Sequence, residues 1–271
     1  MLDRFADDRD LRILEKDLYS FFVLRRILTS ECDVLLTDHK RIILCFTKDP
    51  YPVWIWTPDD ATEEEMQKAY RIASEQSLLD GRHRFNMKYG LADYFIQRSA
   101  EDGRPLFIET NMFAYDCPDP VKPETAAGGS LHRCTPEDTA ELVEFINLFH
   151  QEIGSDRKSL DDYRADAEDY IRGGNTYLWK NESGTAVSSC KYVPNGSIAC
   201  INLVFTRPEF RRRHYAENLV YRVTALAGEA GYMPMLYTDA DYTASNACYQ
   251  KIGYILRGSL CTLGFEKGEK P

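Results

Sequence analysis

From Tyr215 to Ala230 the apolar side chains fall at positions 216, 219, 220, 223, 226, 227 and 230. A repeat of about 3.6 residues with polar residues between is an amphipathic helix, and such a helix needs an apolar surface to lie on. The residues just upstream supply one. Thr176 to Lys180, Val187 to Tyr192 and Ser197 to Phe205 are short β-branched and aromatic runs, joined by turns at Glu182-Ser183-Gly184 and Pro194-Asn195-Gly196. Three strands feeding one helix exclude a helical bundle and a pure β-sandwich for this part of the chain.

Further elements extend the pattern on both sides. Ser130 to Cys134 reads as a strand. Thr135 with Pro136 behind it forms a helix start, and Leu142, Phe145, Ile146 and Phe149 make the inward face of that helix. Leu160 to Ile171 is a second helix, stopped by Gly173-Gly174. After the 215–230 helix come a strand at Met235 to Tyr237, a helix at Ser245 to Ile252, and a strand pair at Tyr254 to Leu256 and Leu260 to Phe265. The order is β-α-α-β-β-β-α-β-α-β-β.

Upstream of this array, residues 116–129 hold three prolines and two glycines with little apolar content, which marks a linker or an extended crossing segment. The expected organisation is an N-terminal α/β domain over 1–115, a linker over 116–129 and a second domain over 130–271. In the first half, a helical stripe runs from Leu11 to Leu28, strands at Asp33 to Leu36 and Arg41 to Thr47 flank a turn at Asp38-His39, and Val53 to Trp56 is a further strand. An acid-started helix follows from Asp59 to about Leu79, and Phe107-Ile108-Glu109 is a strand. No motif there names a chemistry.

Charge and cysteine usage narrow the class of protein. With 33 Lys and Arg against 43 Asp and Glu, the net charge of −10 disfavours nucleic-acid and anionic-membrane binding, and most of the acidic excess lies upstream of Thr125. The eight cysteines are scattered singly, without a CxxC pair or zinc spacing, so buried thiols in a reducing cytoplasm and no metal are expected. Met1 to Asp10 has neither a basic start nor an apolar run, and no stretch reaches the ~18 apolar residues of a membrane span.

Against this acidic background, Arg207, Arg211, Arg212 and Arg213 crowd into the junction between the third strand and the 215–230 helix. Backbone N–H groups at a helix start have no intrahelical acceptor and the helix dipole adds positive charge, so this junction suits a pyrophosphate. The run Val204-Phe205-Thr206-Arg207-Pro208-Glu209-Phe210-Arg211-Arg212-Arg213-His214-Tyr215-Ala216 resembles the acetyl-CoA-binding motif of the GCN5-related N-acetyltransferases (GNAT), a strand followed by Arg/Gln-x-x-Gly-x-Gly/Ala and a helix. Asn246-Ala247-Cys248-Tyr249-Gln250-Lys251-Ile252-Gly253-Tyr254 is similar to that family's second signature, Asn-x-x-x-Tyr-x-Lys-x-Gly-Phe/Tyr, although Tyr249 stands one residue closer to Asn246 than that frame has it. The resemblance covers about Ser130 to Phe265.

The resemblance implies an α/β (α+β) fold, a GNAT-like mixed and largely antiparallel twisted sheet flanked by helices, preceded by a smaller α/β domain with the size of a degenerate copy. It implies an acetyl-CoA-dependent N-acetyltransferase with no metal, acting on a small-molecule or peptide amine by direct attack in a ternary complex. The backbone of Val204, Phe205 and Thr206 would pair with the pantetheine arm. The amides from Arg212, Arg213, His214, Tyr215 and Ala216 to Glu217 would cradle the pyrophosphate, with Arg211 adding charge. Asn246 would hydrogen-bond the cofactor arm, and Tyr249 would protonate the departing thiolate.

Two further departures from the family pattern stand out. His214 replaces the first loop glycine, which narrows the backbone's options, and ordinary helical angles are expected there. Residues 197–203 hold no carboxylate to deprotonate the amine, leaving Glu152, Asp239, Asp241 or a water chain as candidate bases, and a covalent route through Cys200 as a conceivable detour. These departures favour the competing reading, a non-catalytic acyl-CoA-binding sensor or interaction module. The acidic first half suits a cationic amine, while the acceptor and the oligomeric state stay open.

Overall fold

β-branched and aromatic runs buried on both faces organise the first part of the chain. The computed structural model describes residues 2–154 and 157–265. They group into two units: the described residues of Met1–Ala114, Tyr237–Tyr242 and Leu256–Pro271, and those of Tyr115–Leu236 and Thr243–Ile255. The first break lies between Ala114 and Tyr115, and residues 237–242 and 256–265 group with the N-terminal unit. Segment 116–129 is hydrogen-bonded along the second unit: Cys117 N–H donates to Pro234 O at 2.9 Å, Val121 N–H to Ile252 O at 2.7 Å, and Trp179 Nε1 to Gly128 O at 2.9 Å.

In the first unit, β1 (Val34–Thr37), β2 (Ile43–Phe46) and β3 (Val53–Trp56) form an antiparallel meander. A crossover through α3 (Glu63–Glu75) brings β4 (Phe85–Met87) parallel to β3, and β5 (Leu106–Asp116) contains the run Phe107-Ile108-Glu109. Alternation along β2 and β3 divides the core. Ile42, Leu44, Val53 and Ile55 meet α3 and α4 (Tyr89–Glu101), while Ile43, Cys45, Trp54 and Trp56 meet α1 (Asp8–Ile13) and α2 (Leu18–Ile27). The expected single helix over Leu11 to Leu28 is broken by a 3₁₀ turn at Leu14–Asp17 and a non-helical Phe21. Asp10 and His39, both buried, tie the N-terminal segment to the β1–β2 turn: His39 Nδ1 lies 2.7 Å from Asp10 Oδ2, and Thr37 Oγ1 donates to Asp10 Oδ1 at 2.6 Å.

In the second unit, β6 (Ser130–Arg133), β7 (Thr176–Lys180), β8 (Ala186–Asn195) and β9 (Ile198–Thr206) run antiparallel in sequence order. A crossover through α7 (Tyr215–Glu229) brings β10 (Met233–Asp239) parallel to β9. Thr135 and Asp138 close a capping box before α5 (Thr139–Glu152), and α6 (Leu160–Gly173) ends on left-handed Gly174. Leu142, Phe145, Ile146, Tyr163 and Ala167 of these two helices pack on Leu178, Leu203 and Phe205. α7 packs against β8 and β9, and residues 186–192 of β8 are buried without a gap, as a strand covered on both faces must be.

α8 (Thr243–Ile252) packs on α7. The strand pair expected at the C-terminus is one strand, β11 (Ile255–Phe265), and Gly258 lies inside it rather than in a turn. A Cβ at Gly258 would come within 2.2 Å of Ser20 Oγ, so glycine serves close approach there. The sheets are mixed and mostly antiparallel, flanked by helices. No helix among the described residues is long and apolar enough to cross a membrane.

Candidate active site

Two irregularities of β9 shape the site. The ladder to β10 covers only Ile198 to Cys200, opposite Met233 to Met235. Among the described residues no β10 partner continues past Cys200, so the second half of β9 is held on its β8 side alone. At the same place the β8 register shifts between Ser189 and Lys191, which pair with Phe205 and Asn202, so β9 carries one extra residue there. Leu203 sits in this bulge with φ +54°, and its N–H donates to Asn202 Oδ1 at 2.6 Å. Ser189 Oγ donates to Leu203 O at 2.9 Å and Ser188 Oγ to Phe205 O at 2.8 Å. The bulge is therefore held from the β8 side, while Val204, Phe205 and Thr206 border the edge β10 does not cover.

Arg211 joins the strand end to the loop. Its Nε donates to Thr206 O at 3.0 Å, its Nη2 pairs with Glu152 at the end of α5, and its guanidinium stands 5.7 Å from the centre of the Phe205 ring. Arg207 instead is bidentate on Glu144 of α5 at 2.8 and 2.9 Å. Arg212 and Arg213 are exposed, the latter over the Phe210 ring.

Contrary to the sequence expectation, His214 does not take helical angles. It has φ +62° and ψ 8°, and Arg212 has φ +62° as well. Two of the three residues between Arg211 and α7 are thus left-handed, at ~1–2 kcal/mol each for a side chain with a Cβ. His214 Nδ1 lies 3.1 Å from Glu217 Oε2 and does not cap the helix. The first-turn N–H groups of Tyr215, Ala216 and Glu217 thus have neither an intrahelical acceptor nor a side-chain cap.

α8 turns Asn246, Tyr249 and Ile252 inward as one buried stripe. Asn246 is 7% exposed and Tyr249 8%, with the Tyr249 ring edge-on to Tyr254 at 5.7 Å. Burial and the nearby Glu217 carboxylate hold the Cys248 thiol up at about 11, which places α8 beside the first turn of α7. Gly253 closes α8 at φ +99°, where a Cβ would lie 2.8 Å from Asp119 O.

The candidate bases fare differently. Glu152 is taken up by Arg211. In the other unit, Asp239 Oδ1 accepts from Asp241 N–H, and Asp241 Oδ2 accepts from Asn111 Nδ2 at 3.0 Å. Cys200 points its thiol at Ile201 O, 3.7 Å away.

Sequence reasoning missed Lys191, His150 and Asn202. Lys191, 7% exposed, interrupts the apolar run of β8, and its Nζ stands over the Tyr170 ring, 2.8 Å from the centroid. Burial holds its amine down at about 7. Burial also lowers the imidazole of His150, whose Nδ1 is enclosed without a hydrogen-bond partner among the described residues. A lysine inside an otherwise buried strand was the signal available.

Residues 140–254 match the family model described as Acetyltransferase (GNAT) family. A GCN5-related N-acetyltransferase from Sphaerobacter thermophilus is similar in structure, with a TM-score of 0.69 at 14% identity over 98% of this chain and 95% of that one. An acetyltransferase of the GNAT family from Colwellia psychrerythraea gives 0.61 at 11% over 98% and 100%, and a GCN5-related N-acetyltransferase from Kribbella flavida 0.60 at 14% over 97% and 98%. At such identities the likeness is one of fold. No curated protein matches the chain.

Proposed function

We propose, from the premise that residues 140–254 form a GNAT acetyltransferase domain, that the protein transfers an acetyl group from acetyl-CoA to a primary amine by direct attack in a ternary complex. The observation that carries this reading is the run from the uncovered half of β9 into the uncapped start of α7. A strand edge without a partner suits the amide-bearing arm of the co-substrate. Left-handed Arg212 and His214, the free first-turn amides and exposed Arg212 and Arg213 suit its pyrophosphate. When bound, acetyl-CoA would supply an activated thioester acetyl group.

Each residue then has a defined task. Val204 to Thr206 hold the arm in register, and Arg211 fixes the strand end against the loop through Thr206 O. Asn246 bonds the arm from α8, and Tyr249 gives a proton to the departing thiolate. Proximity supplies much of the rate, since attack within one complex avoids the entropic cost of a bimolecular encounter. The sensor reading drew on His214 in the glycine position and on the missing strand carboxylate; His214 takes the left-handed conformation open to glycine, which supports the enzyme reading on the first of these.

A thermal-shift titration with acetyl-CoA comes first, since a ligand that binds only the folded state raises stability by RT ln(1 + [L]/Kd). Thiol release is then measured over butylamine, spermidine, glucosamine and a peptide with a free N-terminus. Tyr249→Phe is expected to slow release while leaving the acetyl-CoA shift intact. No shift at saturating acetyl-CoA refutes the proposal, and a shift without release from any amine returns the sensor reading.

A further inference from the structure

We propose that Lys191 is the proton acceptor that readies the acceptor amine for attack, at a site on the face of β8 and β9 that α5 and α6 cover. The inference rests on the acetyltransferase reading above. An amine substrate carries a proton at neutral pH, and β9 offers no carboxylate between 197 and 203 to remove it.

The register places Lys191 directly opposite Asn202, one residue before the bulge at Leu203 and two before Val204. Directly paired residues of an antiparallel ladder point to the same face, so Lys191, Asn202 and Phe205 share one side of the sheet. Lys191 is buried and Asn202 beside it exposed, so the face is closed at one residue and open at the next. Among the described residues Lys191 Nζ has no hydrogen-bond acceptor and no carboxylate within ion-pair distance; its neighbour is the Tyr170 ring. A buried amine with no counter-charge costs stability, and Met would fill the same space without that cost.

The groups around it set its protonation. Asp166 and Asp169 of α6 pull its affinity for protons up, as does Cys200 of β9 when ionised. Lys158, just before α6, pushes it down, and burial outweighs them all. Burial lowers the proton affinity of His150 of α5, as do the charges of Lys158 and Lys191, while Asp166 raises it. The face therefore holds an amine that exchanges its proton near neutral pH, where a base with a matching proton affinity works best.

The proton balance is complete. The lone pair of Lys191 Nζ takes one proton from the substrate ammonium, and the freed nitrogen lone pair forms the C–N bond as the C–S bond breaks. The second nitrogen proton leaves with the thiol, by way of Tyr249 in the reading above, and Lys191 returns its proton to water.

Lys191→Met and Lys191→Arg test this, with the amine of the four-member panel that supports thiol release as probe. In the wild type, kcat/KM is expected to rise through an inflection near neutral pH. Both variants should lose roughly 10²- to 10⁴-fold at pH 7 and recover as pH approaches the amine's own pKa, with the acetyl-CoA thermal shift unchanged. A role in packing alone would leave Lys191→Met active. Trace labelling with acetic anhydride, read peptide by peptide against pH, reports the Lys191 proton affinity without any turnover. An ordinary lysine titration there, wild-type rates in Lys191→Met, or acetyl-CoA alone placing a stable acetyl group on Lys191 would each overturn the inference. Loss of the wild-type acetyl-CoA shift would instead overturn the parent reading, and the labelling result would still stand.

Discussion

Replacing Lys191 by methionine should stabilise the protein at neutral pH, by an amount that shrinks as the medium is made alkaline. In the unfolded chain this amine titrates at 10.5, whereas in the folded protein burial holds it at about 7. Between those values the unfolded state binds one more proton than the folded state, so wild-type stability climbs with pH across that window and is flat on either side. At ~1.4 kcal/mol per pH unit, the cost of keeping the amine is ~5 kcal/mol well below pH 7, ~4 kcal/mol at pH 7 and below ~1 kcal/mol at pH 10. Methionine keeps the stem volume and the contact with Tyr170, so the difference between the two proteins follows the titration of the amine. Urea unfolding at pH 7, 8, 9 and 10, followed by circular dichroism, measures the difference. The Lys191→Met advantage should fall by about 3 kcal/mol from pH 7 to pH 10. A difference that does not change with pH would refute the reasoning, because it would mean that the amine titrates normally.

Three further outcomes follow from the second unit. Gly253→Ala forces a Cβ to 2.8 Å from Asp119 O at φ +99°, and a loss of at least ~2 kcal/mol is expected in the denaturation midpoint. Burial alone would raise the Asp138 carboxyl, but the Thr135 N–H, His132 and Lys180 hold it well below the usual range. Its stabilisation is therefore present above the ordinary carboxylate value and lost as pH falls through the lowered one. Asp138→Asn should cost ~1.5–3 kcal/mol at pH 7 and progressively less in acid, measured by unfolding at pH 7 and pH 3. Glu152→Gln removes the carboxylate from Arg211, at less than ~1 kcal/mol for a half-exposed pair. It should tighten acetyl-CoA binding several-fold in calorimetry, and an unchanged Kd would show that Arg211 acts only through Thr206.

How far the sequence reveals the fold depends on how one-sided each element is. The stripe from 216 to 230 is legible because α7 has one wet face, and α7 spans Tyr215–Glu229. β2 and β3 bury both faces, so their register and neighbours are not written in an alternation. β4 has three residues and carries no period at all. α4, unassigned from the sequence, buries Leu91, Ala92, Phe95 and Ser99, a stripe diluted by a serine and a small residue. Gly258 and Ser259 resemble a turn, yet the glycine answers to Ser20, a residue more than two hundred positions away.

The site divides along the same line. Composition located the loop, because arginines at a strand-to-helix junction in an acidic chain are a local signal. The backbone of that loop was not legible: left-handed angles at Arg212 and His214 are imposed by the turn into α7, and neither residue type advertises them. The opening beside β9 depends on where its ladder to β10 stops, a property of two strands that no single run of residues encodes. Lys191 lies between these cases. Its presence in a buried strand is visible in the sequence, but the absence of a counter-charge becomes evident only once α5, α6 and β9 are placed around it. If Lys191 is the base proposed above, a search by residue type among the carboxylates of one strand misses it, because burial rather than acidity brings its proton affinity near pH 7.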